Sequence, residues 1–313
     1  MHLDWLQTVA GGLVGIMVGL TGMGGGALLT PTLILLFGIN PGTAVSSDLL
    51  TSLIMRPVGG TVHIRRGTVA WGLVGWLCLG SVPAGFCGVL VLRALGNGAE
   101  VEHDVSLAIA WALAVAVASI VAKAIIGARR GSNGPGAAEQ SVAATAVAPR
   151  PLPTVLIGIV GGFMVGMTSV GSGSLMIVLL LALYPRLSTK SLVGTDLVQA
   201  VPLIAAATLG HAIYGHISLG LTASLVIGSV PGVYLGARLS SRAPDGYIKP
   251  ALVVVLLATS LKMLGLPTNA VLGIGAGLSA VMLVVAVARR RWGLTIPAWA
   301  SRGQLAAAPA RSS

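Results

Sequence analysis

Gly19-Leu20-Thr21-Gly22-Met23-Gly24-Gly25-Gly26 returns 147 residues later as Gly166-Met167-Thr168-Ser169-Val170-Gly171-Ser172-Gly173. Further matches follow at an offset of 148. Ser47-Asp48-Leu49 pairs with Thr195-Asp196-Leu197, His63 with His211, and Gly67 with Gly215. Ser81-Val82-Pro83-x-Gly85-x-x-Gly88 pairs with Ser229-Val230-Pro231-x-x-x-x-Gly236. A constant offset across so many rare positions makes the chain two copies of one unit, separated by one insertion or deletion.

The surroundings of the copies say what solvent they live in. Of 313 residues, 55% are hydrophobic and 9% charged, with a mean hydropathy of +0.94. A soluble domain carries about 25% charged residues, so most of this surface must face lipid. The runs Val69–Leu92, Val105–Ile126, Ile217–Leu239 and Ala270–Ala288 are each long enough for a span of about 20 residues. The formal charge of +11 would suggest nucleic acid in a soluble chain. Here the basic residues fall in short loops and the tail, where membrane topology puts them, and no nucleic-acid partner is expected. Cys78 and Cys87 share one predicted span. Neither a disulfide framework nor a metal motif is visible, and no cofactor is expected. Met1-His2-Leu3-Asp4-Trp5 lacks a basic leader and no A-x-A site follows, so the N-terminus is expected to be retained.

Gly127–Pro153, rich in small residues with Arg129, Arg130 and Arg150, reads as a cytoplasmic linker. The reading therefore divides the chain into a first membrane repeat over 1–127, a linker over 128–152 and a second repeat over 153–266. An extra span over 267–290 and a polar cytoplasmic tail over 291–313 complete it. Cytoplasmic loops collect Lys and Arg, which marks Arg65/Arg66, Arg129/Arg130, Arg186/Lys190, Arg238/Arg242/Lys249 and Arg289–Arg291 as internal. Satisfying all of them requires Leu152–Tyr184, broken at Gly171–Gly173, to return to the side it entered from, as a re-entrant hairpin or as two thin full crossings. Leu6–Phe37, broken at Gly24–Gly26, does the same from the opposite face. The expected fold is an all-α integral membrane protein of two inverted repeats, each a broken helical hairpin plus three transmembrane helices, with one extra C-terminal span. Inverted repeats with broken helices are a recurrent transporter design. The expected site is the cell (inner) membrane, with a cytoplasmic C-terminus and an external N-terminus.

Broken helices survive at membrane depth only inside protein or beside a wet cavity. A helix restarting after a break aims its free N–H groups and positive dipole end at the gap, which suits an anion. Thr30-Pro31 also reads as N-cap and N1, so the first restart could come a few residues on. The candidate substrate-binding residues are Thr21, Gly24, Gly25, Gly26, Ser47, Arg56, Thr168, Gly171, Ser172, Gly173, Thr195 and Gln199, with Ser169 as a further hydroxyl donor. The competing account of the glycines is close helix packing. Asp48 and Asp196 are proton-coupling candidates, because a carboxyl inside a span is costly and marks function; the alternative is a helix N-cap. Arg56 has Ile204 at the matched position of the second copy and is a counter-charge for an anion or for an Asp, unless it snorkels. His63, His211 and His216, like Trp5, Trp71, Trp76 and Trp292, read as interfacial.

The assembled motifs resemble the sulfite exporter TauE/SafE family of membrane permeases. The resemblance rests on Gly15-x-x-x-Gly19-x-x-Gly22-x-Gly24-Gly25-Gly26 with Pro31, Pro41-x-x-Ala44-Val45-Ser46-Ser47, His63-x-x-x-Gly67 and Pro83-x-Gly85-x-x-Gly88. The second copy adds Gly166–Gly173, Gly194-Thr195-Asp196, His211-x-x-x-Gly215 and Pro231-Gly232 with Gly236. It covers about residues 8–265. What it implies is secondary transport of a small sulfur-containing anion such as sulfite, sulfoacetate or another organosulfonate. The chain departs from the family's first copy, which often reads Gly-Thr-Ser where Ser46-Ser47-Asp48 stands. It also has Gly-Ser-Gly at the second break. The expected partners are the lipid bilayer and a small anionic solute, with a homodimer left open. The alternative function is a proton- or Asp-coupled permease for a cation or other small metabolite. An enzyme is not expected, because no nucleophile–base pair is visible.

Overall fold

The computed structural model describes residues 4–21, 25–96, 99–131, 148–173, 175–185, 187–214, 218–240 and 245–277. The order of elements repeats as the sequence does. The first half holds α1 (Trp5–Thr21), a single 3-10 turn (Gly25–Ala27), α2 (Leu29–Phe37), α3 (Pro41–Arg65), α4 (Trp71–Ala94) and α5 (Ala99–Gly131). The second holds α6 (Pro151–Thr168), α7 (Leu175–Leu183), α8 (Thr189–Tyr214), α9 (Leu219–Ser240) and α10 (Asp245–Met263). A further helical stretch runs over 268–277, and no strand occurs among the described residues. The expected extra span lies partly, and the tail wholly, outside the described residues. So does most of the linker, into which α5 extends as far as Gly131.

Local chemistry sets the ends of these helices. Gly38, at φ +62°, closes α2, with Gly38 N–H donating to the Ile34 carbonyl and Ile39 N–H to the Leu33 carbonyl. Asn40 then opens α3: its Oδ1 accepts from Gly42 N–H at 2.9 Å, and Pro41 takes the first helical position. Ser188 does the same for α8, accepting from Ser191 N–H at 3.1 Å. The Thr30-Pro31 cap is not formed. Instead α2 begins at Leu29 after an uncapped Leu28, which frees the Thr30 hydroxyl for another partner.

Each half crosses the other in the packing. In one seam α1 lies on α9, and in the other α6 lies on α4. The seams use matched residues. Gly15 sits on the Ser229 backbone as Gly162 sits on Ser81. Gly228 meets the Thr8 carbonyl as Gly80 meets that of Val155, and Gly236 meets Ile16 as Gly88 meets Phe163. A Cβ at Gly15 would lie 2.5 Å from the Ser229 carbonyl oxygen, so backbone-to-backbone contact depends on glycine there. Between the seams α3 packs on α8, and α5 on α10.

α6 and α7 run back along one another. Gly161 faces the Met176 side chain, and the Tyr184 hydroxyl lies 2.6 Å from Thr154 Oγ1 and accepts from Arg150 N–H at 2.7 Å. At 1.5 Å rise per residue the nine residues of α7 reach only about 14 Å, too short to cross a bilayer alone.

The distribution of polarity is inside-out. Exposed side chains include Leu13, Trp71, Leu79, Trp111, Leu156, Leu209, Ile227 and Leu235. Buried ones include Thr30, Ser47, Asp48, Ser52, Arg56, Thr195, Asp196 and Gln199. Lipid, not water, is the medium that such an exterior suits. Among the described residues, five helical segments are long and apolar enough to cross a membrane: Trp71–Ala94, Glu100–Ala122, Pro151–Thr168, Ser191–Tyr214 and Leu219–Gly236. The expected spans over 69–92, 105–126 and 217–239 fall on α4, α5 and α9.

Candidate functional site: two helix breaks joined by Asp48

The two breaks meet. A Cβ placed on Gly26 would fall on the Ser169 backbone, so the first interruption touches the second. Gly25 lies against Ser52 Oγ and Asp48 Oδ1. The Asp48 carboxylate and the Arg56 guanidinium both reach this junction.

Asp48 sits seven residues past the start of α3, not at its N-cap, so the capping account is overturned; Asn40 already fills that position. Its carboxylate is fully buried and accepts three hydroxyl donors. Thr30 Oγ1 of α2 and Ser169 Oγ of the second break both donate to Oδ2, at 2.6 and 2.8 Å. Ser52 Oγ, one turn along α3, donates to Oδ1 at 3.2 Å. One side chain of the first half therefore fastens both breaks. Ser169 meets it by adopting φ +59°, a left-handed conformation rarely taken by a residue with a side chain, as it ends α6.

Arg56 stands two turns beyond Asp48 on α3 and is 5% exposed, so it does not snorkel. Its Nη2 donates to Ser172 Oγ in the second break. Among the described residues its Nε and Nη1 have no hydrogen-bond partner. That leaves three N–H bonds of a buried guanidinium without an acceptor. Asp196 and Asp48 both interact with it electrostatically.

Asp196 lies at the corresponding depth of α8, eight residues past the Ser188 cap, and is likewise not an N-cap. Its Oδ1 accepts from Gln199 Nε2 at 3.2 Å, and Gln199 Oε1 accepts from Ser81 Oγ of α4 at 3.2 Å.

The amino-acid sequence agrees with this architecture at the level of a family. Residues 8–263 match the model of the family described as "Sulfite exporter TauE/SafE". The chain belongs to the sulfite exporter TauE/SafE family. Its relatives include the "Probable membrane transporter protein YjnA" of Bacillus subtilis (strain 168), 33% identical over 80% of this chain and 96% of that protein. The "Probable membrane transporter protein YdhB" of the same organism is 24% identical over 80% of this chain and 96% of that protein. No solved structure matches. As a TauE/SafE protein with this apolar exterior, the chain is a multi-pass membrane transporter.

The remaining residues singled out from the sequence divide by what they touch in this TauE/SafE chain. Gly25, Gly26, Gly171, Ser172 and Gly173 lie in or beside the breaks. Thr21 ends α1, and Gly24 lies outside the described residues. The Thr168 hydroxyl bonds the Met164 carbonyl and spans the turn to Val170, holding the break from within. Thr195 Oγ1 accepts from Ala70 N–H at 3.0 Å and so closes the start of α4. Ser47 is buried with its Oγ unpartnered among the described residues. His211 is not interfacial: it is buried, with Nε2 donating to the Gly166 carbonyl of α6 at 3.1 Å. Thr30 and Ser52, as the partners of Asp48, carry no signal of that role in their own neighbourhoods. No cluster of three metal-ligating side chains occurs among the described residues.

Proposed function

We propose that this TauE/SafE transporter, a fold of two inverted repeats in the inner membrane, exports a small sulfur-containing anion, sulfite or an organosulfonate, by alternating access. The observation that carries the reading is Arg56, a buried cation at the meeting of two helix breaks, with Nε and Nη1 lacking acceptors among the described residues. A guanidinium is shaped for two oxygens of one oxyanion, and an ionisable group at membrane depth marks a substrate path. Ser172, already on Nη2, and the backbone N–H groups of the breaks complete the pocket. Family membership supports the sulfur chemistry. The membrane potential contributes about 2.3 kcal/mol per charge per 100 mV to anion export. Asp48 and Asp196 are the proton-coupling candidates. The basic loops favour an internal C-terminus and an external N-terminus. A buried guanidinium donating to Ser172 at the junction argues against a cation bound there.

The test is methanesulfonate and sulfite flux in proteoliposomes. Truncating one partner of a buried, hydrogen-bonded charge pair costs about 2–5 kcal/mol, so R56Q should lose at least about 30-fold in apparent affinity. R56K, which keeps the charge but not the fork, should fall between. A folded R56Q protein with unchanged flux would refute the assignment.

A further inference from the structure

We propose that the pocket selects oxyanions by charge, taking singly charged ones and turning away doubly charged ones, with Asp196 setting the limit. This rests on reading Arg56 as the partner of the anion. Among the described residues, the charged groups buried in the interior are Arg56, Asp48 and Asp196. The position in the second half that matches Arg56 is Ile204, itself buried, so no second cation faces the first. Asp196 comes from α8, which packs on α3, and is buried at the depth matching that of Asp48, so it is the second carboxylate of this interior. The other titratable groups nearby are engaged elsewhere. His63 Nδ1 is 2.9 Å from Thr68 Oγ1, and His211 bonds the Gly166 carbonyl. The described parts of α2, α5, α9 and the 3-10 turn, which also pack on α3, contribute no buried charged side chain, Glu100, Glu102 and Asp104 of α5 being exposed.

An anion entering this pocket therefore meets one cation and two carboxylates. With one charge, direct hydrogen bonds from Arg56, whose Nε and Nη1 have no acceptor among the described residues, offset the repulsion of carboxylates that the anion does not touch. With two charges every pairwise interaction doubles, while the cost of leaving water rises with the square of the charge. The second charge finds no second cation to offset that cost. Asp48 is held by Thr30, Ser169 and Ser52 in joining the breaks. Asp196 is consequently the carboxylate whose charge can be removed with least disturbance of the junction, and it is the specificity-determining residue.

The experiment measures ligand-induced thermal stabilisation of the purified full chain by methanesulfonate, by sulfate and by sulfite. Methanesulfonate should bind at least about 100-fold more tightly than sulfate. Sulfite should weaken as pH rises through its second ionisation, whereas methanesulfonate, always a monoanion, should hold its affinity over the same range. D196N should narrow the methanesulfonate–sulfate gap to about tenfold or less. Equal binding of sulfate and methanesulfonate, or sulfite binding that strengthens as the dianion forms, overturns the charge selection and leaves the anion site standing. If no anion binds, the anion reading itself falls, and the charge selection with it. The wild-type comparisons decide the matter even if D196N does not fold.

Discussion

Ser169 offers the most exacting test of the junction, because two opposing effects meet in one residue. Its φ of +59° strains any residue with a Cβ, yet its hydroxyl donates to the buried Asp48 carboxylate at 2.8 Å. S169A keeps the strain and loses a hydrogen bond to a charged acceptor, a cost of about 1.5–3 kcal/mol. S169G loses the same bond but recovers about 1–2 kcal/mol of left-handed strain, less about 0.5–1 kcal/mol for glycine's greater unfolded freedom. The glycine variant should therefore lie about 0.5–1 kcal/mol above the alanine variant, with both below the native protein. At roughly 3 °C per kcal/mol, S169A should melt about 4–9 °C lower and S169G a few degrees less so. The assay is tryptophan fluorescence of purified protein in detergent, heated at one fixed rate. A S169A protein as stable as the native one would mean that Asp48 does not hold the second break. An alanine variant more stable than the glycine variant would mean that the turn is not left-handed there.

Two further perturbations probe the same junction. G26A places a methyl on the Ser169 backbone; overpacking of this kind costs about 1–3 kcal/mol, and methanesulfonate stabilisation should vanish with it. Retained stability and retained binding would show the breaks to be apart. D48N keeps the side-chain shape, since its Oδ1 can accept from both Thr30 and Ser169 while its Nδ2 donates to Ser52. If Asp48 carries protons, this variant should lose the pH dependence of flux while remaining folded. An unaltered pH profile would remove Asp48 from proton coupling.

The sequence showed where the helices break and not what holds the breaks together. A run such as Gly24-Gly25-Gly26 inside an apolar segment has few physical explanations, and its recurrence at Gly171–Gly173 narrowed them further. The depth of Asp48 stayed open between span interior and helix N-cap because a Ser-Ser-Asp triplet resembles a helix start. The nearby Asn40-Pro41 pair, an N-cap followed by a residue that suits N1, carried the information that α3 begins seven residues earlier. The partners of Asp48 had no local signature at all. Thr30 and Ser169 lie 18 and 121 residues away in sequence, and only the fold brings them to one oxygen. Arg56 stood out on the page because a cation amid apolar residues needs a reason. The acceptors it lacks became visible only once its surroundings were known.

The reciprocal glycine seams bear on what can move. Helix α1 is locked to α9, and α6 to α4, so each tight pair draws one helix from either side of the linker. Severing the chain at the linker would leave two fragments, each with half of two interfaces and nothing to close them. Any rocking of this molecule must therefore be a motion of mixed bodies, assembled across the duplication, rather than of one ancestral copy against the other.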